Sequence, residues 1–598
     1  MLKSFRRMFV IYKGYRLRLV ISQVLLLISA TASISLATLN QQLINDGLMA
    51  GKPLVIIETG IWMVVLALVA GGAMAGTAAF AVFFAQGTAY LIRSELYHKI
   101  QTFSFANFDQ FRTGNLLTRL SADVNYIANA VLYSVMLLLY APFMIVVAFV
   151  LAWINTPSLI WVLVVVSIVV LAVMAVIVPQ IFNAYAQRQQ RLEELNNTLQ
   201  ENLAGVRVVK AFVREELEIE RFKQRSLAMR EPAFAAAFRV AALNPILTAT
   251  AQIFTALTIA VGGRQVLTAA GLNVGELITF MQYLTLVVTP LAMLAIVVPF
   301  ILRGDASASR VFEIVDAPPA VIDPPDAKTL DPAAIEGRLA FENVTFAFRR
   351  PDGQYDPPAL KNISLTVEPG QRVGILGATG AGKTALVNLV PRFYDATQGR
   401  ITIDGIDVRD FAQDNLRQIV GIALQEAVLF QGDVRFNLKF GNVDAPDETM
   451  HGAAQAADAY GFIANLPQTW EAPVARRGYN FSGGQRQRLA ISRTLTTLPR
   501  VLILDDSTSA LDVATESRVQ AAIPGFTDNV TTIYIAQRIS AVIDLDLIVL
   551  MENGAIVATG THETLLAENP LYQEIYASQL GSGMTPATEE RPAEEKPA

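Results

Sequence analysis

The chain has 598 residues, 47 lysines and arginines against 52 aspartates and glutamates for a net charge of −5, and a composition that is 53% hydrophobic. That length exceeds one ordinary core and the mean hydropathy of +0.40 exceeds that of an average soluble protein, so at least two domains are expected, one of them in the lipid bilayer. The absence of cysteine excludes disulfides, zinc–thiolate sites and iron–sulfur clusters, and no nucleic-acid partner is expected.

Lys3, Arg6, Arg7, Lys13, Arg16 and Arg18 open the chain without an intervening acid, a cytoplasmic flank by the positive-inside rule. No small-residue cleavage site followed by a soluble polar domain comes after the first apolar run, which is therefore read as a retained helix. A hydrocarbon layer about 30 Å thick takes about 20 mostly apolar helical residues to cross. Six stretches qualify: 18–39, 56–84, 131–153, 159–182, 242–261 and 275–302. Connections near 40–55, 154–158 and 262–274 are short and nearly free of basic residues, whereas 85–130 and 183–241 are long and charged. The short turns therefore face outward and the long segments inward. Arg188, Gln189, Arg191, Glu193 and Glu194 fall on a helical period that breaks only near Pro232, so helices are expected to project beyond the membrane. Residues 317–337 turn to Pro, Asp and Ala, a linker composition that resists helix and strand. It separates a transmembrane domain at 1–316 from a domain at 338–580, where β-branched runs such as RVGIL, VLILDD and TTIYIA alternate with helical stretches. Residues 581–598 read as a disordered acidic tail. The expected fold is a six-helix all-α transmembrane domain followed by a cytoplasmic α/β P-loop domain. It belongs to a multi-pass protein of a prokaryotic inner membrane with both termini in the cytoplasm.

GATGAGKT follows the strand RVGIL and opens the helix ALVNLV, the context that a phosphate-binding loop requires. Gly377, Thr379, Gly380, Ala381, Gly382, Lys383, Thr384 and Ala385 are the candidate ATP contacts. Glycines let backbone N–H groups close on phosphate, Lys383 reaches the terminal phosphates, and Thr384 offers its hydroxyl to Mg²⁺. The apolar strand of VLILDD ends in Asp505, placed to hold Mg²⁺ through water.

Through FSGGQRQRLAISR the sequence resembles the ATP-binding cassette (ABC) transporter family, and Ser482, Gly483, Gly484 and Gln485 look like its signature. The resemblance marks Gln425 as the residue that senses Mg²⁺ and the γ-phosphate, and Ser509, Ala510, Leu511 and Asp512 as the D-loop. Phe348 falls where the family has an aromatic that stacks on adenine, with Tyr355 as the alternative. In the membrane half, residues 108–124 and 201–216 look like the cytoplasmic segments that bear coupling helices, and 308–316 like the exit from the sixth helix. Fusion of the two halves in this order favours an exporter. In that fold two halves pair, and each ATP lies between one subunit's phosphate loop and the other's signature.

Two positions around the hydrolysis chemistry depart from the family, besides Arg476. Asp506 stands where the family has the glutamate that polarises the attacking water, withdrawing the carboxylate by about 1.5 Å. Gln537 stands where it has a histidine that contacts the γ-phosphate; an amide can hydrogen-bond but cannot shuttle a proton. These departures imply a site kept for binding, and a heterodimer with a homologous half-transporter whose glutamate and histidine are intact. Arg476, where exporters usually have glutamate, has no physical account. No Asp, Glu, Lys or Arg lies deep in a span. Ser29, Thr31, Ser33, Ser35, Thr38, Gln252, Thr279 and Gln282 are neutral polar points there that read first as helix–helix hydrogen bonds. Pro290 and Pro299 are expected to kink or loosen the sixth helix. The cargo class this suits is hydrophobic or amphipathic: drugs, lipids or peptides. An ATP-gated channel or regulatory protein, and an importer of metal chelates, are the alternative readings.

Overall fold

The computed structural model describes residue 7 and residues 16–268, 272–350, 352–527 and 529–580. The expected tail at 581–598 and most of the basic flank at 1–15 lie outside these. The chain forms two compact units, one of Met1–Gln101 with Gly114–Ala317 and the other of Thr102–Thr113 with Pro318–Ala598.

Six helices long and apolar enough to cross a membrane, Arg16–Met49, Pro53–Gln101, Thr113–Asn155, Pro157–Ala204, Glu215–Leu267 and Val274–Val315, each contain one predicted stretch. Hydrocarbon offers backbone groups no water, so a spanning chain satisfies them within a helix. The third span is interrupted at Leu138 and Leu139, between Val124–Leu137 and Tyr140–Asn155. Pro142 supplies the cause: it has no N–H for the Leu138 carbonyl four residues back. The break expected near Pro232 is absent, because helix Glu215–Leu267 runs through both Pro232 and Pro245. Ala228, whose carbonyl Pro232 leaves without a donor, is exposed, and water can serve it. The chain turns earlier, at Gly205 and again at 212–214, around the short helix Val206–Ala211.

Polar side chains in the spans mostly serve the helices themselves. Ser29 Oγ donates to the Ala70 carbonyl at 2.9 Å and Thr279 Oγ1 to that of Ala37 at 3.2 Å, each across to another span. Thr31, Ser33, Ser35 and Thr38 instead donate to carbonyls of their own helix. At the extended end of the third span Asp123 is buried, pairs with Arg310 and accepts from Ser307 Oγ at 2.9 Å. A buried carboxylate needs such partners, since removing one leaves an uncompensated charge.

In the second unit β1 (Leu339–Phe346), β2 (Leu360–Val367), β4 (Gln398–Ile403) and β5 (Ile406–Asp407) form an antiparallel sheet in the order β2-β1-β4-β5. A six-stranded sheet, β12-β11-β3-β10-β9-β6, comprises β3 (Arg372–Leu376), β6 (Val420–Ala423), β9 (Val501–Asp505), β10 (Thr531–Ala536), β11 (Leu547–Glu552) and β12 (Ala555–Gly560). A small pair of β7 (Gly432–Asp433) and β8 (Pro473–Val474) stands apart. Every residue of β9 and β10 is buried, as expected for parallel strands covered on both faces.

The linker at 317–337 is not free. Arg392, 5% exposed, donates to the Ile322 carbonyl, and Asn415, 4% exposed, accepts from Leu330 N–H at 2.9 Å and donates to Leu330 C=O at 2.8 Å. Mostly irregular chain, with one 3₁₀ turn at Pro332–Ala334, is held by side chains of the domain that follows it. The segment 102–113 packs in the same unit and carries the helix Phe105–Gln110. Phe105 stacks on Phe393 at 4.1 Å, Asp109 accepts from the Tyr394 hydroxyl at 2.8 Å, and Asn107 bonds both Pro318 C=O and Ala320 N–H.

Asn415→Ala removes both hydrogen bonds to Leu330. Leaving a buried amide and carbonyl unpaired costs about 1–3 kcal/mol, so amide exchange at 328–335 should accelerate about tenfold or more over the unsubstituted chain, read by hydrogen exchange with mass spectrometry.

Candidate nucleotide-binding site

β3 delivers the chain to the loop 377–382, and a helix begins at Lys383. Glycine is required at both ends of the loop. A Cβ on Gly377 would lie 2.3 Å from the Met551 carbonyl oxygen, and Gly382, at φ +99°, would place one 2.8 Å from that of Ala359. Lys383 is buried, and its ammonium donates to the carbonyls of Gly377 at 2.6 Å and Ala378 at 3.0 Å. Burial pushes its pKa down, opposed by the carboxylates of Asp506 and Asp505. Phosphate oxygens would offer that ammonium a stronger partner than neutral carbonyls do.

Asp505 ends β9, which lies between β6 and β10, and is 2% exposed. Its Oδ1 accepts from Thr384 Oγ1 at 3.1 Å. Burial raises its pKa, and the neighbouring Asp506 raises it further. A hydroxyl beside a buried carboxylate supplies the hard oxygen donors that Mg²⁺ takes. Among the described residues no cluster of three or more His, Cys, Asp or Glu could hold a metal, so nucleotide phosphates and water would complete its shell. Thr384 and Asp505 fit Mg²⁺ on these terms, and the ion would supply charge neutralisation at the phosphates.

Asp506 leaves the strand in the left-handed region, at φ +47°. This conformation is uncommon outside glycine and tolerated best by Asn, Asp and His. Its Oδ2 accepts from Gln537 Nε2 at 3.1 Å and from Gln425 Nε2 at 3.4 Å. Two amides from separate loops thus converge on one carboxylate oxygen. Burial, the largest influence, raises the Asp506 pKa, while Lys383 and both amides draw it down. The two residues that depart from the family pattern are in direct contact, which their separation of 31 positions conceals.

The signature residues are engaged elsewhere. Ser482 caps helix Gly483–Leu495: Gln485 N–H donates to Ser482 Oγ at 3.2 Å, and Ser482 N–H donates to Gln485 Oε1 at 2.9 Å. Reciprocal capping leaves the N–H groups of the first helical turn at its open end. Gln487, a residue the sequence reading passes over, accepts from Ala510 N–H at 2.9 Å and donates to Ser509 Oγ at 3.4 Å. Asp512 caps the next helix, Val513–Phe526, by accepting from Thr515 N–H. On that helix Glu516, 3% exposed, takes the Thr508 hydroxyl and pairs with Arg538 at 2.8 Å. Gln487 and Glu516 both lie within helical periods that read as ordinary polar surface, so only their burial reveals them.

Phe348 is half-buried, edge-on to Phe346 at 4.8 Å and to Tyr394 at 5.5 Å, whereas Tyr355, paired across from Arg349, is 58% exposed. Beside the signature, Arg477 pairs with Glu426 at 3.5 Å.

Comparison with known proteins places the chain in a family. Residues 19–291 match the family model of the ABC transporter transmembrane region, and residues 360–509 that of the ABC transporter. An uncharacterized ABC transporter ATP-binding protein of Mycobacterium tuberculosis is 34% identical over 584 residues, which is 95% of this chain and 97% of the relative. The ATP-dependent lipid A-core flippase of Syntrophus aciditrophicus is 32% identical over 581 residues, 96% of this chain and 94% of the flippase. The solved structure of a bacterial Atm1-family ABC exporter with ATP bound superposes with a TM-score of 0.78 at 25% identity, covering 96% of this chain and all of that one.

A raised Asp506 pKa means that the folded chain holds this proton more tightly than the unfolded chain does. The associated stability is fully present below about pH 4 and is lost as pH rises through the folded value. Asp506→Asn removes the buried charge, keeps an acceptor and suits the left-handed backbone. It should therefore raise the thermal unfolding midpoint at pH 7, with the gain shrinking toward pH 4.5, as read by scanning fluorimetry. An equal or lower midpoint at pH 7 would contradict the assigned burial cost.

Proposed function

The chain belongs to the ABC transporter family, with transmembrane and nucleotide-binding regions fused in the exporter arrangement, and on that premise we propose that it is the binding-competent but hydrolysis-impaired subunit of a heterodimeric exporter. Its cargo is hydrophobic or amphipathic, and its signature completes the active site of a homologous partner. The observation that carries the reading is the contact of Gln537 and Gln425 with the one Asp506 oxygen.

A general base must present a carboxylate lone pair to the attacking water. The Asp506 side chain is shorter than glutamate by about 1.5 Å, and the Oδ2 lone pairs are engaged by two amides that neither gain nor lose a proton near neutral pH. A displacement of about 1 Å can cost on the order of 100-fold in rate. Binding is affected far less, because Lys383, the phosphate loop and the Thr384–Asp505 pair are intact. The signature helix likewise keeps its cap and its open N-terminus, where N–H groups and the helix dipole favour a phosphate. Likeness to a lipid A-core flippase supports an amphipathic cargo.

The chain purified alone should turn over ATP far below the ~1–10³ s⁻¹ of competent enzymes, and co-expression with a partner bearing Glu and His at the two positions should restore turnover. Asp506→Glu with Gln537→His should raise hydrolysis in the chain's own site by about 100-fold. Competent turnover by the purified homodimer would overturn the reading. In the heterodimer Lys383→Ala should weaken nucleotide retention in this site, whereas Ser482→Ala should depress turnover at the partner's. ATP-dependent accumulation of a lipid or dye in inside-out vesicles tests export itself.

A further inference from the structure

The first span ends in a π-helical turn, Leu43–Met49, beside a cavity of about 720 Å³. Its lining includes Gln41, Asn45 and Asp46 from the end of that span, Trp62 and Leu66 from the second, and Asn155 from the third. The volume falls within the roughly 300–1,000 Å³ of small-molecule sites. A π-helical turn widens a helix, is rare, and occurs frequently at functional sites.

The lining has one formal charge. Asp46 is the sole ionisable residue among the lining groups, and it makes no ion pair among the described residues; Lys52, the basic residue nearest along the chain, is not bonded to it. Acceptors outnumber free donors. Gln41 Oε1 is buried without a hydrogen-bond partner, a costly state in a weakly polar setting. Asn155 uses its amide N–H to donate to the Tyr283 hydroxyl at 3.0 Å. Ser35 and Thr38 give their hydroxyl protons to carbonyls of their own helix and retain only acceptor lone pairs. Trp62 is 55% exposed and adds an indole ring face, the side chain that attracts cations best. Leu39 and Leu66 supply apolar surface. A carboxylate and an indole beside leucines match a positive head on an apolar body, and the one formal charge of the lining repels an anion.

This wall is also fixed to the sixth span. Asn45 Oδ1 accepts from Gly275 N–H at 2.9 Å, and a Cβ at Gly275 would lie 2.5 Å from that oxygen. Only glycine permits the approach, so the π-helical turn is held against the first turn of helix Val274–Val315.

We propose that this cavity binds a lipophilic cation, with Asp46 as counter-ion and Trp62 as the ring beneath the charge. The proposal rests on the export reading only in treating the bound cation as cargo. It favours a free cation over a zwitterionic lipid head, because no lining residue carries the positive charge that would pair with the phosphate.

Equilibrium dialysis of radiolabelled tetraphenylphosphonium against the full chain, in a neutral detergent without nucleotide or partner, tests it. Asp46→Asn should weaken binding about tenfold, and Asp46→Glu should stay within about threefold of the unsubstituted chain. Should Asp46→Asn fail to fold, Trp62→Leu should still weaken binding about threefold or more. Unchanged affinity in a folded Asp46→Asn or Trp62→Leu variant would overturn the site. So would tetraphenylborate binding as tightly as tetraphenylphosphonium, or displacement of the cation by phosphatidylethanolamine, which would give the cavity to a lipid. Failure of vesicle accumulation with the dialysis pattern intact would remove the export reading and leave the site.

Discussion

Two adjacent carboxylates, Asp505 and Asp506, stand at the end of a strand whose every residue is buried. Taking such groups from water is expensive unless charge and hydrogen bonds meet them. The arrangement of the nucleotide-binding unit answers that demand. Lys383 brings the opposing charge from the phosphate loop, Thr384 donates to the first carboxylate, and Gln425 and Gln537 donate to the second. The sheet order β6-β9-β10, flanked by β3, brings these loops to one edge, since Gln425 follows β6, Gln537 follows β10 and the phosphate loop follows β3.

The same demand accounts for how the neighbouring loops are held. Gln487 ties the signature helix to the backbone of Ala510, and Glu516 ties Thr508 to Arg538, the residue after Gln537. Both are buried polar side chains with their partners satisfied, and networks of this kind fix one conformation because a half-satisfied alternative is costly. A phosphate arriving at Lys383 would change the partners of an ammonium whose nearest carboxylates belong to this network.

In the membrane unit the governing condition is the lack of water. Serine and threonine hydroxyls turn to carbonyls of their own or a neighbouring helix, consistent with helix packing in lipid. Against that background the cavity at the end of the first span stands out, with its carboxylate and its amide oxygen left without partners among the described residues. Proline is tolerated unevenly: Pro179, Pro290 and Pro299 also lie inside uninterrupted helices of the spans. Pro232 sits in a helix where the freed carbonyl is exposed, and the helix continues. Pro142 lies in the apolar third span, and the helix is interrupted four residues before it.

The sequence by itself determined the six spans and the α/β P-loop unit, and it marked Asp505 and the run 482–485 as candidate site residues. Each of these depends on contiguous residues: an unbroken apolar run, glycines followed by Lys-Thr, a β-branched strand ending in acid. Periodicity also misplaced the turn at Pro232, since propensity near a proline does not say whether water can reach the freed carbonyl. Only the tertiary structure decided that the 317–337 segment is clamped by Arg392 and Asn415, and that residues 102–113 pack with the nucleotide-binding unit. It alone joined Asp506 to Gln537 and Gln425, and revealed Gln487 and Glu516 as buried struts. These features are hydrogen bonds between residues far apart in the chain. Their strength comes from exclusion of water, which depends on what packs around a residue and not on its neighbours in sequence.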